Sequence, residues 1–168
     1  QNQSSAASDV YKRQIENSKS RYMLSIYLEE VKQELNKYIL CVGISVIDLT
    51  VGTSIIYETY GSLNDDKYSL DEVLKFINNF NPSEVIINYK NLVNYNEESL
   101  LLYLELKGKN YLIYKLEKSE LFNINNQNKI LNEIFKIESL ITPIEEFDLE
   151  KLEYARISYI CLLYTSDA

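Results

Sequence analysis

The chain has 168 residues, with 25 Asp and Glu against 17 Lys and Arg, a net charge of −8, no histidine and four glycines. An acidic chain does not grip a phosphate backbone by itself, because such binding needs clustered Lys and Arg. Two cysteines without histidine argue against a zinc site, and no apolar run approaches the roughly 18 residues of a membrane span.

The two ends are expected to be adaptor-derived. The octapeptide CLLYTSDA (161–168) back-translates, with one choice of codons, to DNA whose reverse complement in a shifted frame encodes ASDVYKRQ (7–14). An inverted repeat bracketing an open reading frame is similar to the transposase adaptor of shotgun libraries, and SSAASDVYKRQ (4–14) fits the same source. Residues 1–14 and 161–168 are therefore set aside as tails. What remains, 15–160, is expected to be a fragment open at both ends, with room for one domain. Asp9, Lys12, Arg13 and Asp167 cancel, so the negative charge belongs to the inner part. Cys161 falls in the tail, and Cys41 sits inside an apolar run, where a free thiol serves as a small core residue. No disulfide framework is expected, which suits an intracellular, reducing compartment.

RYMLSIYLEEV (21–31) and YILCVGISVID (38–48) are rich in β-branched and aromatic residues, and QELNK between them supplies a polar turn. In the second run Leu40, Val42, Ile44 and Val46 form one face, while Ile39, Cys41, Gly43 and Ile47 form another nearly as apolar. Both faces should be covered, which makes this a central strand. Gly43 would let a neighbouring element approach closely. TSIIYETY (53–60) is more polar, as an outer strand would be.

Ser69 and Glu72 form a capping-box pattern, and Leu70, Val73, Leu74, Ile77 and Phe80 then recur at helical spacing. Asn81-Pro82 ends that helix. SEVIINY (83–89) suits a buried parallel strand. Asn96 should cap a second helix that Gly108 ends, NYLIYKL (110–116) reads as a strand, and 126–136 as a third helix. Asp148 should cap a last helix running from Leu149 into the tail. The order β-β-β-α-β-α-β-α predicts an α/β fold: a ribonuclease-H-like mixed sheet, three antiparallel strands then two parallel ones, with helices on both faces.

A nuclease of that fold gathers carboxylates around two metal ions at strand ends. The first strand offers only Glu29 and Glu30, at its exit. Glu72 is accounted for by capping, and the fourth strand ends in Asn88, Tyr89 and Lys90. Asp48 stands alone, and one carboxylate cannot clamp two cations. It reads instead as a turn residue whose side chain bonds nearby amides, with Gly52 supplying a positive φ where the turn closes. No GxxxxGK[ST] or GxGxxG pattern encodes a phosphate cradle. Asp65-Asp66 and Glu97-Glu98 read as solvated loop and helix-start charges. Glu145-Glu146 with Asp148 reads the same way, though it could attract a basic partner. The tyrosines are not interleaved with Lys and Arg, so they read as packing residues. No catalytic, cofactor-binding or metal-ligating residue is assigned.

YMLSIYLEE (22–30), VGISVIDLTVG (42–52), FNPSEVII (80–87) and FDLEKLEYARISYI (147–160), in this order and spacing, resemble the connector domain of MutS DNA mismatch-repair proteins. The wording is most similar to the branch found in large DNA viruses and octocoral mitochondria. The resemblance implies a connector-like domain over 15–146 and the start of a truncated helical core over 147–160. It implies a fold without nuclease chemistry that links mismatch reading to ATP-dependent rearrangement and offers surface to MutL. The parent would be a dimeric, DNA-dependent ATPase that meets mismatched DNA and binds ATP and Mg through parts missing here. Its Phe-x-Glu wedge and nucleotide-binding loop are absent, so no residue of either is carried over. Two alternatives stay open at this point, an active metal-dependent ribonuclease-H-like nuclease and a free-standing protein-binding adaptor.

Overall fold

A computed structural model describes residues 21–117 and 119–166, so the expected tail over 1–14 lies outside the described residues. The β-rich runs form a meander: β1 (Tyr22–Lys32), β2 (Tyr38–Asp48) and β3 (Ser54–Tyr60). β1 and β2 pair antiparallel from Tyr22↔Asp48 to Lys32↔Tyr38, and β2 and β3 from Ile47↔Ser54 to Cys41↔Tyr60. Helix α1 (Tyr68–Phe80) leads to β4 (Glu84–Lys90), which lies parallel to β1; α2 (Glu97–Tyr103) leads to β5 (Tyr111–Lys115), parallel to β4. The sheet order is β3-β2-β1-β4-β5, the ribonuclease-H-like arrangement expected. α3 (Ile124–Phe135), α4 (Pro143–Glu146) and α5 (Glu153–Ser166) follow.

Strand alternation sends even-numbered residues of β1 and β2 to one face and odd-numbered ones to the other. Leu24, Ile26, Leu28, Leu40, Val42, Ile44 and Val46 join Val85 and Ile87 beneath Leu70, Val73 and Ile77 of α1 and Leu100 of α2. On the other face Met23 and Ile86 meet Tyr159, Ile160, Leu162 and Leu163 of α5, with Leu131 of α3 and Ile144 of α4. Each fully buried aliphatic side chain contributes roughly 1.5–3 kcal/mol.

Four local expectations are corrected. Helix α1 begins at Tyr68, with Lys67 at its cap position and no side-chain cap bond. Ser69 therefore lies inside the first turn and is fully buried against β2, where its hydroxyl donates to the Leu40 carbonyl at 2.9 Å. Glu72 lies 4.0 Å from Lys75, so the Ser69/Glu72 pair is not a capping box. The second helix does carry the expected cap, the Asn96 side chain accepting from the Ser99 amide, but its regular part ends at Tyr103. Glu105 takes a left-handed φ of 56° there, before Gly108 at 85°, because Leu104 and Leu106 must both turn into the core. The third helix starts at Ile124, two residues early, since the Asn123 side chain accepts from the Asn125 and Asn126 amides. Asp148 does not cap the last helix. It has a φ of 56° after the short helix α4, which Thr142 caps, and α5 begins only at Glu153. α5 lies along β1 and β2 as a second layer over the sheet, and it runs on into the expected tail as far as Ser166, with Cys161 buried.

Candidate functional site

The first place to test for chemistry is the β1–β4 junction, where two-metal nucleases hold their acids. Parallel pairing sets Tyr27 beside Asn88 and Glu29 beside Lys90. Tyr27 is fully buried under α5, and its hydroxyl donates to Glu29 Oε2 at 3.1 Å; burial pushes that hydroxyl far above its usual range. Of these four paired residues only Glu29 offers a carboxylate, and the Lys90 ammonium lies 4.3 Å from the Phe122 ring centre. Asp48 cannot join Glu29. Antiparallel pairing puts Asp48 opposite Tyr22 and Cys41 opposite Glu29, seven residues along β1, or about 23 Å at roughly 3.3 Å per residue. Two-metal sites hold their ions about 4 Å apart. Among the described residues, no group of three or more His, Cys, Asp or Glu could hold a metal ion. Cys41 is buried, and that burial pushes its thiol up to about 11, as in a small core residue.

Asp48 sits where β2 ends. Its Oδ1 accepts from the Thr50 hydroxyl at 2.6 Å and the Thr50 amide at 2.9 Å, and Oδ2 pairs with Arg21 Nε at 2.8 Å. The Gly52 amide donates to the Asp48 carbonyl at 2.7 Å, with Gly52 at a φ of 77°. The Thr50 hydroxyl, the Thr50 amide and Arg21 hold the carboxyl down at about 2, outweighing its partial burial. These contacts shape a turn and leave no oxygen aimed at the sheet centre.

Two other carboxylates carry larger structural roles that sequence reasoning missed. Glu30, buried at the end of β1, accepts backbone amide bonds from Val93, Asn94 and Tyr95 at 2.8–3.0 Å, plus the Asn94 side chain at 3.1 Å. It organises the loop between β4 and α2. Glu58 on β3 accepts from the Tyr154 and Ala155 amides at 2.6 and 3.1 Å, which makes it the cap of α5 and satisfies two of that helix's free donors. Tyr60 also donates to Glu58. The sequence signal for Glu30 was an acid at the exit of an apolar strand, and Glu58, in the more polar β3, carried none.

Small residues then let α5 settle onto the sheet. A Cβ on Gly43 would stand 2.0 Å from the Tyr154 carbonyl oxygen. Beside it the Ser25 hydroxyl donates to the Ser158 carbonyl at 2.8 Å and the Ser158 hydroxyl to Ser45 Oγ at 3.0 Å, all buried. At the far side buried Arg156 donates to the Leu149 and Glu150 carbonyls and to Gln127 Oε1. Among the described residues, no helix is long and apolar enough to cross a membrane.

No family model matches the sequence. A putative DNA mismatch repair protein, a mutS homologue of Acanthamoeba polyphaga mimivirus, is 33% identical over 176 aligned residues that take in 92% of this chain. The chain spans 16% of that relative's length. Among solved structures, the fowlpox virus Holliday junction resolvase matches over 88% of this chain and 99% of its own, at 14% identity and a TM-score of 0.45. A simian T-cell lymphotropic virus intasome in complex with the PP2A regulatory subunit B56 gamma matches over 85% and 48%, at 12% identity and a TM-score of 0.32.

Proposed function

We propose, from a relationship to the MutS mismatch-repair family that takes in nearly the whole chain, that this is the connector segment of a longer protein. In this reading the segment has no catalysis of its own. It couples a mismatch-binding part to an ATPase part and offers surface to a MutL-like protein. ATP and Mg would belong to the ATPase part, and mismatched DNA would be met through a separate part of the same, dimeric protein.

The observation that carries the reading is the β1–β4 junction. Tyr27, Asn88 and Lys90 occupy the positions from which a nuclease of this fold would present acids, and Asp48 lies at the opposite end of β1. In this reading the fold's architecture is kept while Glu29 is left as a lone carboxylate at the junction. A coupling role needs a body stiff enough to pass a displacement from one side to the other. The Glu58 cap, tying edge strand to helix, and the Glu30 clamp, tying β1 to the β4–α2 loop, supply that stiffness.

Two measurements test this. Purified chain given Mg or Mn should leave RNA–DNA hybrid, four-way junction and duplex DNA intact; cleavage that Glu29→Gln abolishes would replace the reading with a nuclease. In the longer protein, Gly43→Ala should slow ATP-triggered release from a mismatched duplex several-fold without changing mismatch affinity. Unchanged release would remove the coupling role.

A further inference from the structure

We propose that the elbow joining α3 to α4 is a docking surface for a basic amphipathic segment of a partner protein. This goes beyond the coupling role and does not depend on it. Residues 133–153 carry seven acids and two lysines, a net charge of −5 out of −8 for the whole chain, so the negative charge is concentrated here. Within the same stretch Leu140 is fully exposed, and Phe135, Ile141 and Phe147 are exposed as well. Phe135 and Phe147 meet edge to face at 5.1 Å, which brings the two ends of the elbow together, and Leu140 and Ile141 are exposed on the loop between them. Exposed apolar groups scattered singly need no explanation, whereas several together with a polar rim mark a contact surface.

The elbow is held in shape. Thr142 caps α4, the Ile144 amide donates to Asn128 Oδ1 at 2.9 Å, and Pro143 and Ile144 are buried beneath it. Its apolar groups are therefore presented outward on an anchored loop, at little ordering cost on binding. Glu138, Glu145, Glu146 and Asp148 lie exposed around them. Charge complementarity selects the occupant: a segment with apolar residues on one face and Lys or Arg on the other fits both features, whereas a nucleic acid or an anionic surface would be repelled.

The probe is a fluorescein-labelled 18-residue peptide of Leu and Lys at amphipathic helical spacing, titrated into the whole 168-residue chain by anisotropy. Its controls are a scrambled isomer and a Glu-for-Lys counterpart. We expect saturable binding that weakens about tenfold between 50 and 500 mM salt, as screening of exposed charge requires. Leu140→Ser with Ile141→Ser, both at exposed positions, should weaken it about tenfold more by removing the apolar anchor. Glu138→Gln with Glu145→Gln should flatten the salt dependence, and circular dichroism should be unchanged in both variants. The proposal is overturned if there is no saturable binding, if the scrambled isomer or the Glu counterpart binds equally well, or if the Leu140/Ile141 variant keeps full affinity. Concentration-dependent dimerisation that the same variant abolishes would assign the surface to a second copy of the chain instead.

Discussion

Replacing Gly43 with alanine tests the central packing claim with one methyl group. The added Cβ would meet Tyr154 O at 2.0 Å, Tyr154 C at 2.3 Å and Ala155 N at 2.6 Å. All three are backbone atoms, so no rotamer change relieves the clash; helix and strand have to separate by about 1 Å to restore the 3.0 Å that real Cβ contacts keep. Lifting the helix strains the two amide bonds to Glu58 and the Ser25–Ser158–Ser45 set. Overpacking alone costs about 1–3 kcal/mol, and weakening one hydrogen bond to a carboxylate adds roughly 1.5 kcal/mol. A loss of about 3 kcal/mol corresponds to a fall in Tm of roughly 6–12 °C for a chain of this size. Urea and thermal unfolding give the loss, and hydrogen exchange at Tyr154 and Ala155 localises it. Gly61→Ala is the control, because the nearest atom, Asp66 O, lies at 3.1 Å and the next at 3.5 Å. Equal effects of the two substitutions, or unchanged exchange at Tyr154, would refute the close-approach argument.

Glu30→Ala should be costlier than its position at a strand end suggests. It strands the Val93, Asn94 and Tyr95 amides together, at about 3–5 kcal/mol in urea unfolding; a loss below about 1 kcal/mol would mean that water or a neighbour replaces the carboxylate. Asp48 supplies a pH signature. Its folded pKa, about 2, lies below the unfolded value near 3.9, so its contribution is present above pH 4 and disappears as the pH falls towards 2. In Asp48→Asn that acid-limb difference should vanish, whereas the same pH dependence in both proteins would place the titrating group elsewhere.

What could be read in advance follows how far apart the partners are along the chain. The two apolar faces of β2 are local information, written in alternation, and they placed that strand at the sheet's interior. Asp48 was legible because its main partner, Thr50, is two residues away. Glu30 and Glu58 were not, because their amides come from residues 63 to 97 positions later. The Ser69 pattern misled for a related reason. A hydroxyl that can cap its own helix can also bond a strand 29 residues back, and burial against β2 favoured the strand. The last helix was legible as a helix, yet nothing in its sequence said that it would close this sheet.

The serine and glycine lining of that second face also bears on how the domain is made. Ser45 and Ser25 wait 113 and 133 residues for their contacts on α5, a long loop closure that slows folding. During synthesis the completed β1–β2–β3 meander exposes this face while more than ninety further residues are added. Met23, Tyr27, Cys41 and Ile47 would make it adhesive, but Ser25, Gly43 and Ser45 interrupt the apolar surface with hydroxyls and bare backbone. The same small groups that later admit the helix so closely would keep the nascent sheet from sticking to its neighbours while it waits.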